Sequence, residues 1–289
     1  MSRAGAATSH FDIAIVRGRG GRAQVARLSQ EFPQRITAPM YLDPRDPGAA
    51  FICLQNPTAG VFPADRLVTS VDVGPGATLH VTYQAATQIF AGDTASSQHL
   101  HFHVWAGASL LHTARVAIPH RGSRHTQYTK VEVEAGAVYL GWDAMCAGRV
   151  GRGESFAFDS FRASTSIYRS GVLHVQDTLA LRPGSSEAGS IRAGTGDPAT
   201  AGRFGENRYL GTLFAVADTT PPADLAAALT EVLRATPDVT GAASLLPDGV
   251  GVVARVLSVT APALERARLR LWETAHGHLF DRQPSTPRI

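Results

Sequence analysis

Val71-Asp72-Val73-Gly74-Pro75-Gly76-Ala77, Phe102-His103-Val104-Trp105-Ala106-Gly107-Ala108 and Val131-Glu132-Val133-Glu134-Ala135-Gly136-Ala137 are three versions of one phrase, a short apolar-polar-apolar run that ends in Gly-Ala. The Gly-Ala pairs fall 31 and 29 residues apart, a near-constant period of the size that stacked supersecondary units show. Each copy reads as strand, tight turn, strand. Alternation with a period of two marks a half-buried strand, and glycine supplies the backbone freedom that a turn needs. A layered β structure is therefore expected over residues 67 to 146.

Outward from the repeats, Phe11 to Arg17 and Arg22 to Ser29 read as a hairpin-like pair joined by Gly18-Arg19-Gly20-Gly21. That connector lacks a Gly-Lys-Ser/Thr ending and leads into no helix, so it is a turn and not a phosphate loop. Residues 43 to 48 break the chain before a strand at Ala50 to Gln55, and strands continue to Asp177–Leu181 through a long alternating stretch from Phe156 to Tyr168. Residues 183 to 204 turn to Gly, Ser, Ala and Thr with almost no large apolar side chain, the composition of a mobile loop. Thr220-Pro221-Pro222 then starts a helix whose Leu225, Ala228, Leu229, Val232 and Leu233 form one apolar stripe. A strand at Val250 to Ser258 precedes a second helix from about Pro262, striped by Leu264, Ala267, Leu271, Trp272, Ala275 and Leu279. Strands and helices do not alternate as a parallel α/β sheet requires. The expectation is a mainly β fold, with stacked, solenoid-like strand layers and two α-helices toward the C-terminus. Residues 1–10 form a flexible tail and 11–289 a single domain.

Of the 289 residues, 44% are hydrophobic, ample for a core. No apolar run reaches the roughly 18 residues of a membrane span, and Met1 to His10 has no apolar segment like that of a secretory signal. A cytoplasmic protein follows, and Cys53 and Cys146 are too few for a disulfide-stapled secreted fold. Both sit in apolar strands as reduced, buried thiols. The net charge of +3 is dispersed, with Lys130 the one lysine and arginine supplying the other basic residues. No basic run interleaved with aromatics suggests nucleic acid.

His99, His101 and His103 alternate, so on a strand they share one face at about 6.6 Å per two residues. Imidazole suits nickel, zinc and copper, and His112, His120 and His125 could join the row if the repeats stack. A solvated strand face, with Leu100, Phe102 and Val104 inward, is the commoner meaning of such a pattern. The His101-x-His103 pair is also similar to the cupin metal enzymes, but Trp105 to Ala108 stand where their glutamate belongs. There is no Gly-x-Ser-x-Gly nucleophile elbow. Among the scattered carboxylates, Asp143, Glu154, Asp159 and Asp177 stand out by their apolar or Gly-rich surroundings.

Gly148-Arg149 followed by Gly153-Glu154-Ser155-Phe156, preceded by Ala137-Val138-Tyr139-Leu140-Gly141-Trp142 and succeeded by Ile167-Tyr168-Arg169-Ser170-Gly171, strongly resembles the UreD (UreH) urease accessory proteins. Other pieces follow in that family's order: Asn56-Pro57, Asp65-Arg66-Leu67, Thr82 to Thr87 with Gln84, Leu246-Pro247-Asp248-Gly249, Arg255, and the closing Pro287-Arg288-Ile289. Two places depart. Ala59-Gly60 and Pro63-Ala64-Asp65 replace a Gly-Gly pair and a Gly before Asp, so a differently shaped loop is expected. Leu111-His112-Thr113-Ala114-Arg115 puts an imidazole where the family has a glutamate.

The resemblance implies a non-enzymatic scaffold with no tightly bound cofactor. It would bind the urease structural subunits and, with the UreF protein and the UreG GTPase, help deliver nickel through an internal, polar-lined passage. Glu154, Asp143 and the row His99, His101, His103 are the candidates for transient nickel contacts, and Arg149 for anchoring a turn or a carboxylate. Gln84, Thr87, Asp65, Gly148, Gly153 and Phe156 carry the matched motifs. No nucleic-acid or membrane partner is implied. The alternatives are a cupin-like metal enzyme using His101 and His103, or a β-repeat module for some other partner.

Overall fold

In the computed structural model, which describes residues 8–183, 204–218 and 221–280, each Gly-Ala turn sends its two flanking strands into different sheets. The chain runs through β1 (Thr8–Arg17), β2 (Ala23–Gln30), β3 (Arg35–Ile36), β4 (Ala50–Gln55) and β5 (Gly60–Val61) into the repeats. There β6 (Arg66–Val73), β7 (Thr78–Tyr83) and β8 (Thr87–Ile89) make one coil. The next coil is β9 (Ser96–Val104), β10 (Ser109–Thr113) and β11 (Ala117–Pro119), and the third opens with β12 (Arg124–Val133) and β13 (Val138–Cys146). Then follow β14 (Ser160–Arg169), β15 (Val172–Leu181), β16 (Tyr209–Val216), helix α1 (Pro222–Arg234), β17 (Val239–Leu245), β18 (Gly251–Ser258) and helix α2 (Ala261–Phe280).

The coils stack in parallel at the sequence period. Val71 lies beside Phe102 and Phe102 beside Val131 in one sheet, while Leu79, Leu110 and Tyr139 line up in the other. Both ladders thus repeat the offsets of the Gly-Ala pairs. Gly76, Gly107 and Gly136 take φ of 66°, 66° and 71°, the left-handed region in which a Cβ is strained, and the alanine after each is buried. A seven-stranded sheet runs β15-β14-β12-β9-β6-β1-β2, and an eleven-stranded one runs β17-β18-β16-β13-β10-β7-β4-β3 with β5, β8 and β11 as a side strip. Parallel pairing without crossover helices comes from this coiling. The strands form open, stacked sheets rather than a closed barrel, which removes the cupin-like alternative.

One apolar cluster, including Phe11, Ile13, Ile52, Phe102 and Val131, fills the space between the sheets. A second joins the far face of the eleven-stranded sheet to the helices through Trp142, Leu229, Leu271 and Trp272. Leu225, Leu229 and Leu233 of α1 and the whole expected stripe of α2 are buried, each leucine contributing about 1.5–3 kcal/mol. No described helix is long and apolar enough to cross a membrane.

Several boundaries differ from the sequence reading. Strand β1 begins at Thr8, and Thr8, Ser9 and His10 pair with Arg66, Leu67 and Val68 of β6, so the last three residues of the expected tail are ordered by a neighbour. Phe156 has φ of 50° and β14 starts only at Ser160, so the stretch from Phe156 is not one strand. Strands β16 and β17 were not foreseen. Cys146 is buried but Cys53 is half-buried, and both are free. Most of the expected mobile loop, residues 184–203, lies outside the described residues, as do residues 1–7 and the closing Pro287-Arg288-Ile289.

Candidate functional site

Strand β13 divides its side chains between two environments. Val138, Leu140 and Trp142 face the helices, while Tyr139 faces the space between the sheets, and by alternation Gly141 and Asp143 follow it. Gly141 is required there, because a Cβ would fall 2.2 Å from the Tyr139 hydroxyl. Asp143 Oδ2 accepts a 2.6 Å hydrogen bond from Gln127 Nε2, and Oδ1 one of 2.9 Å from its neighbour's amide, Ala144 N. Asp143 is half-buried and lines a cavity between the sheets. Burial accordingly raises its pKa above the ordinary carboxylate value, and the two hydrogen bonds oppose that rise.

The cavity, of about 70 Å³, is lined by Asp143, Thr165, Asp177, Thr178, Thr212 and Arg255 among others. Arg255 of β18 and Asp177 of β15 form an ion pair across the two sheets at its rim. On the other side of Asp143, Tyr83 OH and His112 Nε2 share a 3.1 Å hydrogen bond. The His112 ring lies 4.6 Å from Phe102. Burial holds this imidazole down to a pKa of about 3, so it is neutral at physiological pH. The Tyr83 and Tyr139 hydroxyls are raised by burial and by the charge of Asp143. Tyr83 also borders a second cavity of about 40 Å³, together with Gln84, Thr87, Asn56 and Ala59. A seam of polar groups, buried His112 and Gln127 with half-buried Tyr83 and Asp143, therefore borders the two cavities between the sheets. Interior-facing polar residues at alternate strand positions, Gln127 and Tyr139 among them, were the available signal, but alternation does not say which face is inside.

The histidine row lies elsewhere. Leu100, Phe102 and Val104 are buried as expected, which puts His99, His101 and His103 on the outer face of the seven-stranded sheet. His99 rests 5.1 Å from the Tyr128 ring. His103 stacks on Trp105 at 4.3 Å, with Nε2 3.3 Å from Glu134 Oε1. The other histidines do not join the row: His112 is buried on β10 of the other sheet and His125 on the inner side of β12, His125 Nδ1 being 2.8 Å from Ser96 Oγ, and His120 Nε2 is 2.7 Å from Gln88 Oε1. Among the described residues, no group of three or more His, Cys, Asp or Glu side chains is placed to hold a metal ion together.

Glu154 sits at a third place. The turn Val150–Arg152 is bracketed by Gly148 and Gly153, with φ of 138° and 76°, and this folds Arg149 back onto Glu154. Arg149 Nε donates to Oε2 at 2.8 Å, its other arm donates to Oε1, and the amide of Arg121 reaches Oε2 at 3.3 Å. The carboxylate is covered by these neighbours rather than sunk in the core, and the Arg149 hydrogen bonds hold its pKa below the ordinary value.

Asp65 Oδ2 accepts a 2.9 Å hydrogen bond from Phe62 N and so closes the early turn. Ala59 and Ala64 take φ of 64° and 69°, the left-handed backbone that glycine would adopt freely.

Compared with known proteins, residues 8–289 match the family profile described as UreD urease accessory protein. A urease accessory protein UreD of Mycolicibacterium gilvum is 39% identical over 273 residues, covering 93% of each chain. A UreD 2 of Streptomyces griseus is 35% identical over 83% of this chain and 79% of its own length. The UreD of Deinococcus radiodurans is 29% identical over 92% and 89%.

Proposed function

Since the chain belongs to the UreD family of urease accessory proteins, we propose that it is a non-catalytic cytoplasmic scaffold that binds the urease structural subunits and passes nickel toward their active site. UreF-like and UreG-like proteins would be its partners. The observation that carries this reading is the polar seam. Its members are hydrogen-bonded, Gln127 to Asp143 and Tyr83 to His112, but Asp143 is a carboxylate drawn away from water with neutral donors alone, a setting that disfavours its charge and makes a cation its natural complement. Asp143 offers one carboxylate, and His112, Tyr83 and Gln127 offer neutral donors. Cargo must be released as well as bound, and single ligands in succession suit that better than a three-ligand site. Of the candidate path residues, Asp143 lies on the seam. The histidine row is across the seven-stranded sheet from it, and Glu154 is engaged by Arg149.

Co-expression with apo-urease and the two partner proteins tests the reading. Wild-type chain should raise urease nickel content and activity, and Asp143→Leu should remove most of that gain. Urease that fills with nickel equally well without the chain would refute it.

A further inference from the structure

The Gly148 to Glu154 motif is not used by the seam, and its surroundings have a chemistry of their own. Both oxygens of Glu154 are taken, by Arg149 and the Arg121 amide. Arg152 lies on the same turn, its amide donating to Arg149 O at 2.7 Å. Arg121 and Arg152 are exposed, and neither side chain has an ion-pair or hydrogen-bond partner among the described residues. Arg149 and Arg152 on this turn, with Arg121 on the adjoining turn between β11 and β12, thus bring three guanidinium groups to one carboxylate, an excess of positive charge that favours an anion. Beside it, Phe62 is 43% exposed and stacks on Phe90 at 4.6 Å. Phe90 in turn meets the His120 ring at 4.8 Å, and His120 adjoins Arg121 in the chain. Fixed aromatic area next to guanidinium groups is the composition of a binding hot spot.

We propose that Arg121, Arg149 and Arg152, with the Phe62–Phe90 platform, form a docking surface for an acidic segment, carrying apolar side chains, of a protein partner in the urease assembly. Guanidinium forks match carboxylates in geometry as well as charge, and the exposed phenyl ring takes the apolar side chain. Glu154 is a positioning residue here: it aims Arg149 and would not touch the partner. The partner's identity rests on the function proposed above.

The test uses the full chain, with binding measured to purified apo-urease subunits and to the UreF-like protein at low and high salt. Arg121→Glu/Arg152→Glu should weaken one of these complexes at least about tenfold, and the wild-type complex should weaken as salt rises. Arg234→Glu on α1, the reversal of another exposed arginine, should leave binding unchanged. Glu154→Gln should weaken binding less, and lose its effect in the background of Arg149→Ala. Matching thermal melts would show that the exposed reversals leave the fold intact. If wild type binds and the double reversal binds as tightly, the surface is refuted while the urease role stands. If wild type binds neither protein, both fall. Patch-dependent binding to an oligonucleotide, without a patch-dependent protein complex, also overturns the proposal.

Discussion

Asp143 and Glu154 are two carboxylates close in sequence and opposite in setting. Asp143 lies in the inter-sheet seam, where among the described residues no cation pairs with it, and its pKa is raised. Glu154 lies in a surface turn, gripped by an arginine, and its pKa is lowered. The same chemical group meets neutral donors in one place and a guanidinium in the other. A carboxylate without a cation partner suits a transfer ligand, and one already paired suits a structural brace.

The largest expected effect is functional. Asp143→Leu should remove most of the nickel gain of urease in a co-expression assay, whereas Glu154→Gln should leave the transfer step per bound complex intact, as measured by nickel loaded per urease at saturating chain. Equal losses in both would break the contrast.

Acid should act next most strongly, through the seam. His112 titrates near pH 6.5 when unfolded but near 3 when folded, so below pH 6.5 only the unfolded chain takes up the proton. Stability from this group is full above pH 6.5 and falls by up to about 1.4 kcal/mol per pH unit as pH drops toward 3. His112→Gln should reduce the slope of the denaturation profile between pH 6.5 and 5, leaving the share of buried His125, which is lowered to about 4.

The two carboxylates should respond to acid in opposite directions. Glu154 contributes stability above its unfolded value near 4.5 that is lost as pH falls through its lower folded value. Asp143 is relieved by protonation, because its folded value lies above 3.8. At neutral pH Glu154→Gln should cost about 1–2 kcal/mol, and Asp143→Asn should change stability by less than about 1 kcal/mol, both read from urea midpoints. The smallest effect concerns the early turn: Ala59→Gly or Ala64→Gly should stabilise by up to about 1 kcal/mol, since relief of left-handed strain slightly exceeds the entropy cost of glycine.

Much of the fold was legible because its period is written in local chemistry. The Gly-Ala pairs mark left-handed turns, and their spacing is the ladder register itself. A related signal, Gly48-Ala49 ahead of β4, was available too, since Ile52 pairs with Val81 at a similar offset. The helix stripes on α1 and α2 read directly as buried faces. Strands β16 and β17 were missed because Gly211 and the run Gly241-Ala242-Ala243 blunt the alternation that marks a strand. Phe156 looked like the start of a strand because its apolar side chain is buried, and burial alone does not reveal a positive φ. In the site, Asp143, Asp177 and Arg255 were noticed singly and Tyr139 within a motif, but Gln127 was not.

The sequence by itself determined the strand period, the turns, the helices and the family, since all of these follow from side-chain patterns and backbone preferences along neighbouring residues. Only the tertiary structure decided that the histidine row faces outward, that Asp143 joins Gln127 across two sheets, and that Glu154 is closed off by Arg149. A period of two separates the faces of a strand but does not say which one meets another sheet. That depends on contacts between residues far apart in the chain.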